Sequence, residues 1–150
     1  MEKQAILDSI KQYLMEGRTA QLSESIKMAV DAGLAPGEIL EAGLISGMSI
    51  IGERFQRKEI YVPEVLLSAR AMLAATELLE PMLLKAGVKA KAKAALGTVE
   101  GDVHNIGKNL VGIMLRGAGI EVHDLGVDVP PERFVAIAGE GSILYVCLAF

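Results

Sequence analysis

The sequence predicts an α + α/β protein in which a four-helix bundle precedes a short parallel β-α-β-α-β unit. Up to about residue 85, apolar side chains recur at helical spacing in successive runs that Gly or Pro residues interrupt. From residue 93 onward, short apolar strands alternate with helical segments, which is typical of a parallel sheet. We therefore expect a helical domain over residues 1–88 and an α/β domain over residues 89–150.

Four helices are predicted in the first domain, over residues 2–16, 19–32, 36–56 and 63–85. Gly17 and Gly33 end the first two, and Pro36 suits the first turn of the third. The third helix also carries Gly43, Gly47 and Gly52. Since each glycine inside a helix costs about 1 kcal/mol relative to alanine, these positions predict close approach of another helix.

In the second domain, the predicted strands cover residues 93–99, 120–125 and 143–150. A helix is predicted over residues 105–117, and a second helix opens at Pro130 or Pro131 after a loop that starts at Gly126. Strands that are joined by helical crossovers run parallel. His123 in the second strand is interpreted as a polar residue on a half-exposed strand.

The segment from Gly97 to Gly107 joins the first strand to its helix, and Asn105 is a candidate N-cap. Ligands bind at this end of the strands in open α/β folds. His104 is a good ligand for a borderline metal, and Asp102 is close enough to accept a hydrogen bond from its other ring nitrogen. Gly107 leaves room for a bulky planar ligand, because it has no Cβ.

One histidine is too few ligands for zinc, which binds three or four protein groups. It suits a metal that brings its own equatorial ligands, as in a tetrapyrrole-type cofactor. The alternative is that His104 is solvated or packed, that Asp102 is only a turn residue, and that Gly107 only allows helix packing.

In its wider context the segment resembles the cobalamin-binding motif of the corrinoid proteins of methyltransferase systems and of methionine synthase. Asp102-x-His104-x-x-Gly107 lies within GTVEGDVHNIGKNLV, and LGVDVPPERF follows downstream. The upstream stretch GERFQRKEIYVPEVLLSARAM is similar to the helical cap of methanol-, methylamine- and methoxyaromatic-type corrinoid proteins. The resemblance covers about residues 1–145. It implies a cap followed by a Rossmann-like cobalamin-binding domain.

The resemblance also implies roles for individual residues. His104 would be the lower axial ligand of the cobalt, and Asp102 would orient it, so these two residues would carry the chemistry. Met72 would reach the cofactor from the cap, although it could equally be bundle core. The complete set expected to bind the cofactor is Val99, Glu100, Gly101, Asp102, Val103, His104, Asn105, Ile106, Gly107 and Met72.

A protein of this kind shuttles a methyl group between a substrate-specific methyltransferase and a second methyltransferase with a tetrahydrofolate or thiol acceptor. It would be the corrinoid subunit of a multicomponent methyltransferase or O-demethylase, not catalytic alone, and a corrinoid-reactivating protein would be a further partner. Two alternatives stay open: a cobalamin sensor, and a truncated interaction module without methyl transfer.

Composition narrows the function classes. The 150 residues carry a net charge of −4, and only 4% are aromatic, which argues against a nucleic-acid partner. The single cysteine fits a reducing cytosol, and no apolar run is long enough to cross a membrane. We therefore expect a cytoplasmic protein.

The sequence departs from the resembled family in its second domain, where about five strands are expected and three are predicted. We therefore expect a domain that is C-terminally incomplete. The resembled family usually has the strand order 3-2-1-4-5. Without strands four and five, the first strand would be an exposed edge of the sheet. Such an edge predicts pairing with a second copy of the chain, and hence a possible homodimer.

Overall fold

Residues 2–88, 92–138 and 143–148 are described by a computed structural model of the chain. The chain divides into two units, Met1–Lys89 and Ala90–Phe150. The helices of the first unit are α1 (Glu2–Met15), α2 (Thr19–Asp31), α3 (Pro36–Glu38), a π-helical segment (Ile39–Ile45), α4 (Ser46–Gln56) and α5 (Val62–Lys85). The elements of the second unit are β1 (Ala92–Val99), α6 (Ile106–Gly117), β2 (Ile120–Val129), α7 (Pro131–Ala138) and β3 (Ile143–Leu148).

Glycines determine how closely the helices of the first unit pack. A Cβ on Gly43 would lie 2.8 Å from Cγ2 of Ile10, and one on Gly47 would lie 2.8 Å from Cδ2 of Leu14. The predicted close helix approach is therefore confirmed at these two positions, and the partner is α1. None of the helices among the described residues is both long and apolar enough to cross a membrane.

The third predicted helix is continuous but not uniform, which corrects the expectation of one regular α-helix over residues 36–56. Seven residues, Ile39–Ile45, form π-helix between α3 and α4. A π turn holds more residues than an α turn. The apolar spacing did not reveal it, because Leu40, Leu44 and Met48 recur at ordinary α-helical intervals.

The three strands form a parallel sheet in the order β2-β1-β3. The expectation that the first strand is an exposed edge is therefore wrong, because β3 pairs with β1 on the side opposite β2. The crossover through α7 returns the chain past β1, whereas the expected order placed the third strand beyond β2. Without a β1 edge, the argument for a homodimer through that edge no longer holds.

The second strand is longer than predicted. It continues to Val129 through the stretch from Gly126 that was predicted as a loop, but its pairing with β1 shifts register twice, after Leu96 and after Gly97. These irregularities explain why the pattern looked like a loop. Gly126 and Asp128 have positive φ angles of 89° and 53°, which regular strand does not allow.

Candidate cofactor-binding site

The segment between β1 and α6 lies where the order of the strands reverses, at the switch point of the sheet. From β1 the chain crosses to β2 on one side, and from β2 it crosses back to β3 on the other side. In open α/β sheets, ligands bind outside the carboxyl ends of the strands at this switch point. Residues 100–105 follow the carboxyl end of β1 and therefore occupy the expected position.

The centre of this segment is a pair formed by Asp102 and His104. Asp102 Oδ1 lies 2.5 Å from His104 Nδ1 and also accepts the His104 backbone N–H at 2.9 Å. With the proton on Nδ1, the lone pair is on Nε2. The His104 side chain is 72% exposed, so the ring stands out from the protein with one nitrogen held and the other available.

Hydrogen bonds from outside the motif hold the backbone of the same segment. Thr98, which is fully buried in β1, donates its hydroxyl to the His104 carbonyl at 2.7 Å. Asp128 Oδ1 accepts the Gly101 N–H at 2.8 Å, and the Asp128 N–H donates to the Asp102 carbonyl at 2.9 Å. The segment is therefore fixed both from β1 and from the end of β2.

An ion pair between a buried lysine and a partly exposed aspartate joins the start of α6 to β2. Lys108 is 3% exposed, and its Nζ donates to both carboxylate oxygens of Asp124 and to Asn109 Oδ1, all at 2.8 Å. Asp124 also accepts the Gly126 N–H at 2.9 Å. Burial raises the pKa of Asp124, but the hydrogen bonds from Lys108 and Gly126, together with the charges of Lys108 and Arg116, outweigh burial and lower that pKa overall.

The remaining predicted residues of the segment surround His104. Val103 and Ile106 are exposed apolar side chains, Val99, Asp102 and Gly107 are half-buried, and Glu100, Gly101 and Asn105 are exposed. Asn105 occupies the N-cap position of α6, as predicted, but its side chain makes no capping hydrogen bond. Across the described ranges, no group of three or more His, Cys, Asp or Glu side chains could hold a metal ion.

Met72 belongs to the first unit and is only 5% exposed. This burial favours the interpretation of Met72 as bundle core. The exposed large apolar side chains of α5 are instead Val62, Leu66, Leu67, Leu73 and Leu84.

Sequence reasoning did not identify Thr98, Lys108, Asp124 or Asp128. One signal could have indicated Asp128. The carboxyl ends of neighbouring parallel strands share an edge of the sheet, and Asp128 lies near the end of β2. A second signal pointed to Lys108, a charged residue in an otherwise apolar helical run. Neither signal identifies the partner, because the partners are 16 and 27 residues away in the chain.

Comparison with known proteins gives matches along most of the chain. Residues 6–80 and 92–149 each match a family described as a B12 binding domain. A corrinoid protein of Desulfitobacterium hafniense is 40% identical over 139 residues, which cover 91% of this chain and 64% of that protein. Dimethylamine corrinoid protein 1 of Methanosarcina acetivorans is 45% identical over 108 residues, which cover 71% of this chain and 51% of that protein. The chain thus spans between half and two thirds of the length of these relatives.

Solved structures agree with these matches. A chain of the methanol:cobalamin methyltransferase complex from Methanosarcina barkeri superposes with a TM-score of 0.83 at 31% identity, covering 96% of this chain and 57% of that one. The monomethylamine corrinoid protein of the same organism superposes with a TM-score of 0.60 at 37% identity, covering 97% of this chain and 70% of that one.

Proposed function

Because the chain belongs to the B12-binding corrinoid proteins of methyltransferase systems, we propose that it is a methyl carrier that binds cobalamin through His104 as the lower axial ligand. Residues 1–88 would form the cap domain, and residues 89–150 the cobalamin-binding domain. The observation that carries the proposal is the contact of Asp102 with Nδ1 of His104, which leaves Nε2 to bind the metal.

The donors present fit a metal that arrives with its own equatorial ligands. One exposed imidazole offers one bond, and the described residues include no cluster that could complete a coordination sphere. Val103 and Ile106 flank His104 with exposed apolar surface, which suits a large and partly apolar macrocycle. When bound, the corrin supplies the cobalt that carries the methyl group.

The chain's own residues would then do three things. His104 Nε2 would hold the cofactor at the switch point of the sheet. Asp102 would keep the proton on Nδ1 and fix the orientation of the ring, which raises the basicity of the ligating nitrogen. Gly107, which has no Cβ, would let the macrocycle approach the start of α6. Val99, Glu100, Gly101 and Asn105 would contribute mainly backbone to the same surface.

The relatives support a methyltransferase as a partner, and the resemblance to the family suggests the others. One structural relative is part of a methanol:cobalamin methyltransferase complex, and other relatives are named for dimethylamine and monomethylamine. We propose that a substrate-specific methyltransferase transfers the methyl group to this chain and that a second methyltransferase passes it on to the acceptor. A corrinoid-reactivating protein is the third proposed partner. Methanol, methylamines and methoxyaromatics all remain candidate donors, since that choice belongs to the partner enzyme. The proposed location is the cytoplasm.

The test is the visible spectrum of the protein after incubation with hydroxocobalamin and desalting. The wild type should retain a red species with a His-ligated spectrum, and His104→Ala should lose that spectrum. His123→Ala is the matched control, because His123 is the other histidine of the chain and lies on β2. It should leave the spectrum unchanged.

Two results would contradict the proposal. An unchanged spectrum in His104→Ala would eliminate His104 as the ligand. A colourless wild type would leave the interaction module as the better explanation of this chain.

A further inference from the structure

Asp128 holds the backbone of the His104 segment at two consecutive residues. Its carboxylate Oδ1 accepts the Gly101 N–H at 2.8 Å, and its own N–H donates to the Asp102 carbonyl at 2.9 Å. Asp128 reaches this position with a φ angle of +53°, a left-handed conformation that Asp and Asn tolerate better than other residues with a Cβ. The side chain and the backbone of Asp128 thus bind the two peptide units that flank the one between Gly101 and Asp102.

We propose that Asp128 is a positioning residue for cobalt ligation, which acts by fixing Asp102 and through it the ring of His104. This inference rests on the proposed function. Asp102 makes two contacts with His104, one to the ring and one to the backbone N–H. The position of the Asp102 backbone therefore sets where the ring stands.

Other bonds to the segment would remain without Asp128. The Asp102 N–H donates to the Val99 carbonyl at 3.1 Å, and Thr98 holds the His104 carbonyl. The first of these bonds is made by the peptide between Gly101 and Asp102, whereas the two Asp128 bonds hold the peptides on either side of it. Gly101 has a φ angle of +82° and no side chain, so its backbone can rotate more easily than that of a residue with a Cβ. Loss of the Asp128 contacts would release the Gly101 N–H and the Asp102 carbonyl, and the His104 segment would then be less firmly held at Asp102.

Asp128 itself is attached to a fixed frame. The stretch from Gly126 to Val129 is the end of β2, and Val129 still pairs with Val99 of β1. At its other end, the Gly126 N–H is bound by Asp124, whose carboxylate is held by the buried Lys108 of α6. The frame that orients His104 thus includes β1, β2 and the first turn of α6.

Three substitutions separate the contributions of the carboxylate and of the backbone conformation. Asp128→Asn keeps an acceptor oxygen and tolerates the positive φ, so it should behave as wild type. Asp128→Gly keeps the φ angle but removes the acceptor, and Asp128→Ala removes the acceptor and strains the backbone. The control is Glu132→Gln, which changes an exposed carboxylate in the first turn of α7.

The first measurement is NMR-detected amide exchange on the full chain without cofactor. The Gly101 amide should exchange about three- to tenfold faster in Asp128→Gly, the factor expected for one lost hydrogen bond, and faster again in Asp128→Ala. The amides of β1 should be unaffected. Equal acceleration throughout β1 would overturn the inference, because Asp128 would then only stabilise the fold.

The second measurement is the spectrum with hydroxocobalamin. Asp128→Gly should bind cobalamin with a smaller His-ligated fraction, and Asp128→Asn should restore that fraction. An unchanged fraction in Asp128→Gly would refute the positioning role while leaving His104 as the ligand. A wild type without a His-ligated spectrum would refute the proposed function instead, and the exchange of Gly101 would still report whether Asp128 holds the segment.

Discussion

The ion pair between Lys108 and Asp124 should respond asymmetrically to the removal of each partner. Lys108 is 3% exposed and Asp124 is 36% exposed, so water can replace a lost partner of the carboxylate but not of the ammonium. Asp124→Ala removes two of the three acceptors of Lys108 Nζ and leaves a buried charge with only Asn109. Breaking a buried pair in this way costs about 3 kcal/mol.

Lys108→Met should cost less than about 1 kcal/mol. Methionine fills the apolar part of the lysine site without a charge, and Asp124 keeps its bond from the Gly126 N–H and gains water. The double variant Lys108→Met/Asp124→Ala contains neither charge. It should therefore be more stable than Asp124→Ala alone, by about 1–2 kcal/mol.

The assay is amide exchange in β1 and β2, which reports the free energy of opening of the second unit within the full chain. Lys93→Met is a matched control, since Lys93 and Glu121 form an ion pair across the same two strands at 3.4 Å, but with side chains 53% and 43% exposed. It should change the opening free energy by less than about 0.5 kcal/mol. The reasoning is refuted if Lys108→Met destabilises as much as Asp124→Ala, or if it fails to rescue the double variant.

Three further predictions concern acid stability, helix packing and the His104 backbone. The pKa of Asp124 is lowered from 3.8, so its ion pair with Lys108 should stabilise the protein above pH 3.8. This stabilisation should be lost as the pH falls through the lowered pKa. Wild type and Asp124→Asn should therefore converge in stability in acid-unfolding experiments. Gly43→Ala places a Cβ 2.8 Å from Ile10 Cγ2 and should cost about 1–3 kcal/mol, read from thermal unfolding of the helical signal. Thr98→Val removes the buried donor to the His104 carbonyl and should cost about 1 kcal/mol in β1 amide exchange.

Each of these predictions has an internal check. Glu121→Gln should differ little in stability from the wild type at any pH, because its carboxylate forms an exposed ion pair with Lys93. Gly37→Ala adds a Cβ 3.4 Å from Val88 Cγ2, an ordinary contact, and should not destabilise the protein. If it lowers the melting temperature as much as Gly43→Ala, close packing is not the cause. Thr98→Ser keeps the hydroxyl and should therefore recover part of the stability that Thr98→Val loses.

Local signals predicted the elements of this chain well. Gly17 and Gly33 follow α1 and α2 with φ angles of +67° and +74°, as expected for glycines that end helices. The apolar residues Ala94, Ala95 and Leu96 lie in the buried part of β1. These features depend on neighbours along the chain, so a single sequence contains them.

The sequence by itself determined the two-part organisation, the helices and strands apart from the π-helical segment and the end of β2, and the motif in which Asp102 and His104 stand two residues apart. Their contact needs only a short turn, and a helix or strand of this length is specified by its own apolar spacing. The tertiary structure alone decided that β1 is central, that Lys108 is buried against Asp124, and that Asp128 holds Gly101 and Asp102. Each of these features joins residues from separate elements, and the periodicity within one element carries no information about which other element will pack beside it.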